Sequence, residues 1–137
     1  MTGPLYAVSM EMTDLDVELL GAARAVVANA HAPYSHFAVG AALRTADGSV
    51  YLGVNVENAS YGLSSCAERN AVFAAVAAGH REFAAIAIHA DAASAPPCGA
   101  CRQVMAEFAP ELRVIRLRDG GAVVSSLADL LPERFAL

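Results

Sequence analysis

The chain contains no lysine and no tryptophan, and arginine supplies all 9 of its cationic side chains. Its formal net charge is −5 at pH 7. A nucleic-acid-binding protein needs a cationic face that displaces counterions from phosphate groups, so this charge balance disfavours RNA and DNA as partners. Small polar molecules fit the composition better as ligands.

Long apolar runs and targeting segments are also missing. No apolar stretch approaches the roughly 18 residues that indicate a membrane-spanning helix. The first residues, MTGPLYAVSMEMTD, have neither the basic start nor the apolar core of a signal peptide. Cysteine occurs 3 times, an odd number that disfavours a closed disulfide framework and favours reduced thiols. We therefore expect a cytoplasmic protein with no membrane partner.

Apolar side chains, by contrast, are abundant. Hydrophobic residues make up 56% of the 137 positions and charged residues 17%. This length fits one domain over residues 1–137 with a sizeable core, preceded by a loose tail at residues 1–12. The apolar excess predicts that part of the surface is shared between subunits.

Hydrophobic periodicity predicts an α/β fold. After Thr13, a candidate N-cap, apolar residues recur at helical spacing until Pro33 ends the pattern. Alternation over 37–43 predicts a strand that pairs with 50–54 across the turn ADGS. The other predicted elements are a helix over 65–78, a strand over 83–90, a helix over 99–108, strands over 112–117 and near Val123, and a helical turn after Ser126. This order predicts a three-layer α-β-α arrangement around a five-stranded mixed sheet.

Two cysteine motifs carry the chemistry. Cys66 stands two positions before Glu68 in SCAERNA, and Cys98 and Cys101 form a Cys-x-x-Cys after Pro97 in PPCGACRQV. Three thiolates leave one position of a tetrahedral zinc ion open, as in catalytic zinc sites. Each motif falls at the start of a predicted helix, where the helix dipole and free amides favour thiolate over thiol.

Two other interpretations account for fewer of these residues. A thioredoxin-like redox pair would use Cys98 and Cys101 and leave Cys66 and Glu68 without a role. A closed structural zinc site needs a fourth ligand, and no histidine has ligand spacing to a cysteine. The available histidines are His31, His36, His80 and His89.

Together the two motifs resemble the signature of zinc-dependent nucleobase deaminases. Longer blocks resemble cytidine deaminases of the small, homo-oligomeric, three-cysteine type: APYSHFAVGAAL (32–43), GVNVENASYGLSSCAERNA (53–71) and PCGACRQVMAEF (97–108). The resemblance implies a cytidine-deaminase-like fold and one zinc ion per subunit. It also implies hydrolytic deamination of cytidine and deoxycytidine to uridine and deoxyuridine, with release of ammonia, in pyrimidine salvage.

The resemblance further implies a role for each matching residue. Cys66, Cys98 and Cys101 would bind zinc, and Glu68 would carry protons during the reaction. The implied substrate-binding residues are Phe37, Asn55, Glu57, Ala59, Tyr61, Ala67 and Phe135.

Three of these implied roles have ordinary structural alternatives. Asn55 and Glu57 would hold the ribose hydroxyls, since an amide and a carboxylate together satisfy a diol. From the residues alone, a capped and solvated loop explains the same pair. Phe37 would pack against the pyrimidine, and its strand register is equally consistent with a core position.

The resemblance also implies a homotetramer with shared active sites. Ala59, Tyr61 and Phe135 resemble residues that reach the site of a neighbouring subunit. Phe135 lies two residues from the end of the sequence, in LLPERFAL, whereas relatives often continue further.

Arg69 is predicted to adjust the charge of the site. Three thiolates and Zn²⁺ sum to −1, which makes zinc a poorer Lewis acid than in a neutral site. A hydrogen bond from Arg69 to a ligand sulfur would offset that charge. A solvated surface arginine is the alternative.

Other functions fit less of the pattern. A deaminase for another cytosine nucleoside, such as blasticidin S, would share the zinc motifs, but NVEN and CRQV favour ordinary nucleosides. A zinc-stabilised binding module without catalysis would keep the cysteines and leave Glu68 dispensable.

Overall fold

The computed structural model describes residues 10–137, which form one mixed sheet flanked by helices. The helices are α1 (Asp14–Val26), α2 (Ala67–Ala77), α3 (Gly99–Phe108) and α4 (Leu127–Leu130), and the strands are β1 (Val39–Thr45), β2 (Val50–Val54), β3 (Phe83–Ala90), β4 (Arg113–Arg118) and β5 (Gly121–Ser126). The strand order is β2-β1-β3-β4-β5; β3 and β4 are parallel and the other neighbours are antiparallel. The predicted fold class is confirmed.

The two faces of the sheet bury separate cores. On one face, α1 packs small and branched residues against the sheet: Leu19, Ala23, Ala42, Ala85, Ala87 and Ile115. On the other face, α2 and α3 enclose a larger core that includes Leu43, Ala71, Val72, Ile86, Ile88, Met105 and Val114. The alternation of these residues along each strand places α1 opposite both cysteine-bearing helices.

One glycine on each face lets a helix approach the sheet closely. A Cβ added at Gly40 would lie 2.2 Å from the Ala23 carbonyl oxygen of α1. A Cβ added at Gly53 would lie 2.2 Å from the Ala67 carbonyl oxygen of α2. Both positions therefore require glycine, and Gly53 fixes the height of the first turn of α2 above the sheet.

Several element ends differ from the prediction. The first helix ends at Val26 and continues as a 3₁₀ turn over Val27–Asn29, well before Pro33. The first strand begins at Val39 and not at residue 37. Two features delay its start. His36 has a positive φ of 57°. The Asn55 side chain hydrogen-bonds to the Phe37 carbonyl and the Val39 amide, where a neighbouring strand would otherwise pair.

The expected tail at 1–12 falls largely outside the described residues. Within the described part of it, the Met10 amide donates a hydrogen bond of 2.7 Å to the Val124 carbonyl of β5. Among residues 10–137, no helix combines the length and hydropathy that crossing a membrane requires.

Candidate metal centre and active site

The three cysteines converge at the starts of two helices. Cys66 is the N-cap of α2 and Cys98 is the N-cap of α3, while Cys101 lies in the first turn of α3. The Sγ atoms of Cys66 and Cys98 are 4.0 Å apart, and those of Cys98 and Cys101 are 3.3 Å apart. All three sulfurs lie within 4.8 Å of one another. Two segments distant in sequence thus build one cluster.

This donor set fits a zinc ion. A Zn–S bond of about 2.3 Å places the sulfurs of a tetrahedral site about 3.8 Å apart, and the distances of 4.0 and 3.3 Å bracket that value. Cys101 is buried and Cys98 is exposed, so the cluster runs from the core to the surface. A donor set of three sulfurs leaves one position of a tetrahedral ion without a protein ligand, as a catalytic zinc site requires.

The electrostatics of the cluster already favour a thiolate. The pKa of Cys66 is lowered to about 5, because the Cys101 thiol hydrogen-bonds to it and Arg69 adds a hydrogen bond and a positive charge. The pKa of Cys101 is raised, because its proton is held by Cys66 and its thiol is buried. One negative charge is therefore stabilised at the N-terminus of α2, as the helix dipole predicts.

Arg69 contacts the cluster directly. Its Nη2 atom donates a hydrogen bond of 3.2 Å to Cys66 Sγ, and this bond to a thiolate raises the pKa of the guanidinium. Its Nε atom is buried and has no hydrogen-bond partner among residues 10–137. The position is that of a side chain held at the sulfur and not of a solvated surface arginine.

Glu68 lies in the first turn of α2, beside the sulfurs. Its side chain is buried, with 5% of the residue exposed. Burial raises its pKa, and the nearby Cys66 thiolate adds to the shift. A buried carboxyl group with a raised pKa beside a cluster of thiols is typical of residues that transfer protons.

Asn55 and Glu57 both support the segment over 34–39. Asn55 accepts a hydrogen bond from the Val39 amide and donates one to the Phe37 carbonyl, each 2.8 Å long. Glu57 accepts hydrogen bonds of 3.0 Å from the amides of Tyr34 and Ser35. These hydrogen bonds form the capped loop that the residues alone suggested. They also position Phe37 through its main chain.

The same two side chains keep free capacity for a ligand. Asn55 has one N–H and one lone pair that these bonds do not use. The Ser35 hydroxyl donates to the other oxygen of Glu57, and these hydrogen bonds lower the pKa of that carboxyl, so it is ionised at neutral pH. Phe37 exposes 43% of its surface and is not a core residue.

A neighbouring cavity of about 420 Å³ opens beside this loop. Its lining residues are Tyr34, Ser35, Glu57, Tyr61 and Ser64. Tyr61 exposes 74% of its surface and meets Tyr34 edge to face, with ring centroids 5.8 Å apart. Ala59 is exposed as well, whereas Ala67, the first residue of α2, is buried.

Phe135 hydrogen-bonds to α3 through its main chain. Its amide donates to Gln103 Oε1 at 3.2 Å, and its carbonyl accepts from Gln103 Nε2 at 2.9 Å. The residue is 69% exposed, so it does not fill the core of its own subunit.

The structure also identifies supporting residues that sequence reasoning missed. Asn70 accepts a hydrogen bond from Ser65 and donates one to the Val54 carbonyl, which ties the start of α2 to β2. Ser35 fixes Glu57, and Gln103 fixes Phe135. All three fall inside the sequence blocks quoted above, so the motifs contained the signal, but their partners are set by tertiary contacts.

Comparisons with known proteins agree with this geometry. Residues 13–116 match the family model for the cytidine and deoxycytidylate deaminase zinc-binding region. A cytidine deaminase of Halalkalibacterium halodurans is 51% identical over 109 residues, covering 77% of this chain and 83% of the relative. One from Sporosarcina psychrophila is 44% identical over 126 residues, covering 89% and 93%.

Solved structures support the same relationship. The crystal structure of a cytidine deaminase from Burkholderia pseudomallei superposes with a TM-score of 0.84 at 53% identity, covering 90% of this chain and all of the other. A blasticidin-S deaminase of Bacillus cereus is more distant, at 26% identity over 136 residues. The converging cysteines, the buried glutamate and these similarities show that the chain belongs to the cytidine and deoxycytidylate deaminase family.

Proposed function

We propose that this protein is a zinc-dependent cytidine deaminase. Cytidine and water would yield uridine and ammonia, and deoxycytidine would react in the same way, as a step of pyrimidine salvage. The observation that carries this function is the burial of the Glu68 carboxyl beside three sulfurs that fit one zinc ion.

Cys66, Cys98 and Cys101 would hold one zinc ion per chain. When bound, zinc supplies a Lewis acid that lowers the pKa of a water molecule. The thiols must stay reduced for this purpose, which supports a cytoplasmic location.

Glu68 would carry the protons of the reaction. Its carboxylate would take one proton from the attacking water and deliver it to N3 of the pyrimidine ring. It would then take the remaining proton from the hydroxyl group formed at C4 and pass it to the departing amino group, which leaves as ammonia. Burial supports this role because it raises the pKa of Glu68 and so makes the carboxylate a stronger base than an exposed glutamate.

Phe37, Asn55 and Glu57 would bind the nucleoside. The exposed ring of Phe37 offers an apolar face for the pyrimidine. The unused donor of Asn55 and the carboxylate of Glu57 suit the two hydroxyl groups of a ribose. Their existing bonds to the 34–39 segment would keep the sugar and base sites at a fixed spacing.

Arg69 would limit the negative charge on the ligand sulfurs. Its hydrogen bond to Cys66 Sγ withdraws electron density from a thiolate. We expect Arg69→Ala to lower the rate by about tenfold to hundredfold while zinc stays bound. Adding Cys66→His, which makes the site neutral, would partly restore the rate; failure of that rescue at full zinc content would contradict the charge role.

The function is tested by adding purified protein to cytidine and following the fall in ultraviolet absorbance. We expect turnover with about one zinc per chain, and loss of both zinc and turnover in Cys98→Ala. Full zinc and full activity in that variant would exclude this metal site. Zinc without turnover in the parent protein would favour a binding module.

We further propose that the active site is completed by a second copy of the chain, within a homotetramer. The exposed Phe135 and Tyr61 rings and the open cavity beside Glu57 support this arrangement. Bulk water enters a polar active site that is open to solvent, and aromatic side chains from a neighbouring subunit would exclude that water. A closed symmetric assembly would repeat the contact at every site.

Mixing two poorly active variants tests the shared site. Glu68→Gln and Phe135→Ala chains, refolded together, should regain activity, because some hybrid sites combine an intact Glu68 with an intact Phe135. Simple averaging of the parental activities in demonstrated hybrids would contradict sharing. So would an active enzyme that sediments as a monomer.

A further inference from the structure

We propose that Gln103 is a positioning residue that holds the C-terminal segment on the zinc-ligand helix and thereby sets the place of the Phe135 ring. This role deepens the proposed function, since it rests on Phe135 completing the site of a second copy. Gln103 would touch neither the metal nor the substrate of its own chain.

The contact is a two-point pairing between a side-chain amide and one residue of main chain. Gln103 Nε2 donates to the Phe135 carbonyl at 2.9 Å, and Gln103 Oε1 accepts from the Phe135 amide at 3.2 Å. Only an amide side chain offers a donor and an acceptor at this spacing. The pairing fixes the main chain of Phe135 as a neighbouring β-strand would, and leaves its side chain free.

Arg102, the residue before Gln103, holds the start of the C-terminal segment at Leu130. Arg102 Nη1 donates to the Leu130 carbonyl at 2.8 Å, and Arg102 Nε donates to the Pro97 carbonyl at 2.9 Å. Consecutive residues of α3, directly after the ligand Cys101, therefore anchor both Leu130 and Phe135. The metal ligand and the two anchors are rigidly related because they share one helix turn.

The exposure of the Phe135 ring indicates what the anchoring is for. Phe135 is 69% exposed, so burial within its own chain does not hold it in place. Fixing an exposed aromatic residue through its main chain costs conformational entropy without gaining a core contact. This entropy cost is offset if a second copy binds the ring, because Phe135 is then already ordered and loses less conformational freedom on binding.

Asn55 provides a parallel within the same molecule. Its amide pairs with the Phe37 carbonyl and the Val39 amide, and the Phe37 ring is likewise left exposed. Two aromatic residues assigned to the substrate are thus each held from the main chain by an amide side chain. The same device serves the chain's own site and, by our proposal, the neighbour's.

The absence of tryptophan makes the anchoring directly measurable. Phe135→Trp introduces a single fluorophore on the segment, and its anisotropy reports motion on the nanosecond timescale. We expect lower anisotropy when Gln103→Met is added, because methionine keeps the length and helix propensity but removes both hydrogen bonds. Gln103→Glu keeps the acceptor and loses the donor, so it should also mobilise the reporter. Glu18→Met, on the exposed surface of α1, is the matched control and should leave the anisotropy unchanged.

Kinetics on the chain without the reporter test the consequence. We expect Gln103→Met to lower kcat/KM by about tenfold to hundredfold, mainly through KM, with zinc content and oligomeric state unchanged. Phe135→Ala should lower it similarly, and the double variant should be no worse than the larger single effect, because both remove one interaction.

The outcomes separate this role from the proposed function. Unchanged anisotropy in Gln103→Met, or mobilisation with unchanged kcat/KM, would overturn the positioning role while the deaminase activity stands. Additive losses would also overturn it. If Phe135→Ala is fully active, the shared site fails first, and the anisotropy change would then record an anchor without catalytic consequence.

Discussion

Two arginines of β4 lie three residues apart on opposite faces of the sheet, and their surroundings differ sharply. Arg113, on the α1 face, donates to both carboxylate oxygens of Asp16, with Nη2 to Oδ2 at 2.6 Å. Arg116, on the α2–α3 face, is only 7% exposed, and in the described part of the chain its Nε has no hydrogen-bond partner. Its side chain donates a hydrogen bond to Ser125 Oγ that is 3.4 Å long.

The same contrast holds for the two faces as wholes. Asp16 is fully buried, and burial alone would raise its pKa, but the bonds from Arg113 and Thr13 outweigh burial and lower it. On the opposite face, burial lowers the pKa of Arg116 and raises that of Glu68. Among the described residues, both buried side-chain nitrogens without a partner, on Arg69 and Arg116, belong to the α2–α3 face. The buried polar groups without a partner thus lie on the face that carries the cysteine cluster, whereas the buried carboxylate on the α1 face is fully paired.

The sharpest test of this contrast is Glu68→Gln. We expect turnover to fall by about 10⁴-fold, because a residue that serves several proton transfers stands at the top of the range for general acid–base catalysis. Zinc and nucleoside binding should persist, and thermal stability should be equal or higher, since the amide removes a carboxylate that burial disfavours. Deamination within a few-fold of the parent rate would refute the role of Glu68.

Asp16→Asn should lower stability and leave activity unchanged, the opposite of Glu68→Gln. Removing one partner of a buried ion pair leaves a charge uncompensated, and we expect a loss of about 3 kcal/mol in the free energy of unfolding. Activity per folded molecule and zinc content should not change. A double variant with Arg113→Gln should recover part of the stability, which a denaturation cycle on the four proteins measures.

The pH dependence of this pair follows from the lowered pKa of Asp16. A carboxyl with a depressed folded-state pKa contributes stability above its unfolded pKa of about 3.9 and loses it as the pH falls through the folded value. The difference between the parent and Asp16→Asn should therefore be constant from neutral pH to about pH 5 and shrink below pH 4. A difference that grows on acidification would contradict the assignment.

Two glycine substitutions compare the faces through a similar clash with a helix carbonyl, to which Gly53→Ala adds a contact of 2.4 Å with the Ala71 amide nitrogen. Gly40→Ala and Gly53→Ala each place a Cβ 2.2 Å from a helix carbonyl oxygen, and each should lose about 1–3 kcal/mol of stability. Only Gly53→Ala should also weaken zinc retention, because it displaces the first turn of α2 that carries Cys66 and Glu68. Zinc release in the presence of a chelator separates them, and equal release from both variants would mean that the height of α2 does not control the site.

The smallest expected effect is that of Arg116→Met. Replacing a buried cation that meets no carboxylate within residues 10–137 by an apolar side chain of similar length should be neutral or stabilising by about 1 kcal/mol. Thermal denaturation of the parent and the variant measures it. A marked destabilisation would show that Arg116 meets an acidic group in the assembled protein.

The sequence alone predicted the cysteine donor set and most of the secondary structure. The spacing of Cys66 and Glu68 and of Cys98 and Cys101 indicated the donor set, since zinc needs thiolates and a turn of helix fixes which neighbours can reach it. Periodicity predicted every strand and the three long helices, because the helical and strand repeats are local properties of the chain. The end of α1 was missed, because a 3₁₀ turn and a loop follow Val26 where Pro33 was expected to mark the boundary.

Tertiary structure alone decided which polar groups meet. Asn55 and Gln103 are each an amide in a sequence block, and only the fold shows that one pairs with the main chain at Phe37 and the other with that at Phe135. Arg113 and Arg116 look alike in RVIRLR, yet one meets Asp16 and the other meets no carboxylate among the described residues. The physical reason is that side-chain type sets what a residue can bond, whereas its partner is fixed by contacts between segments far apart in the chain, which no local pattern encodes.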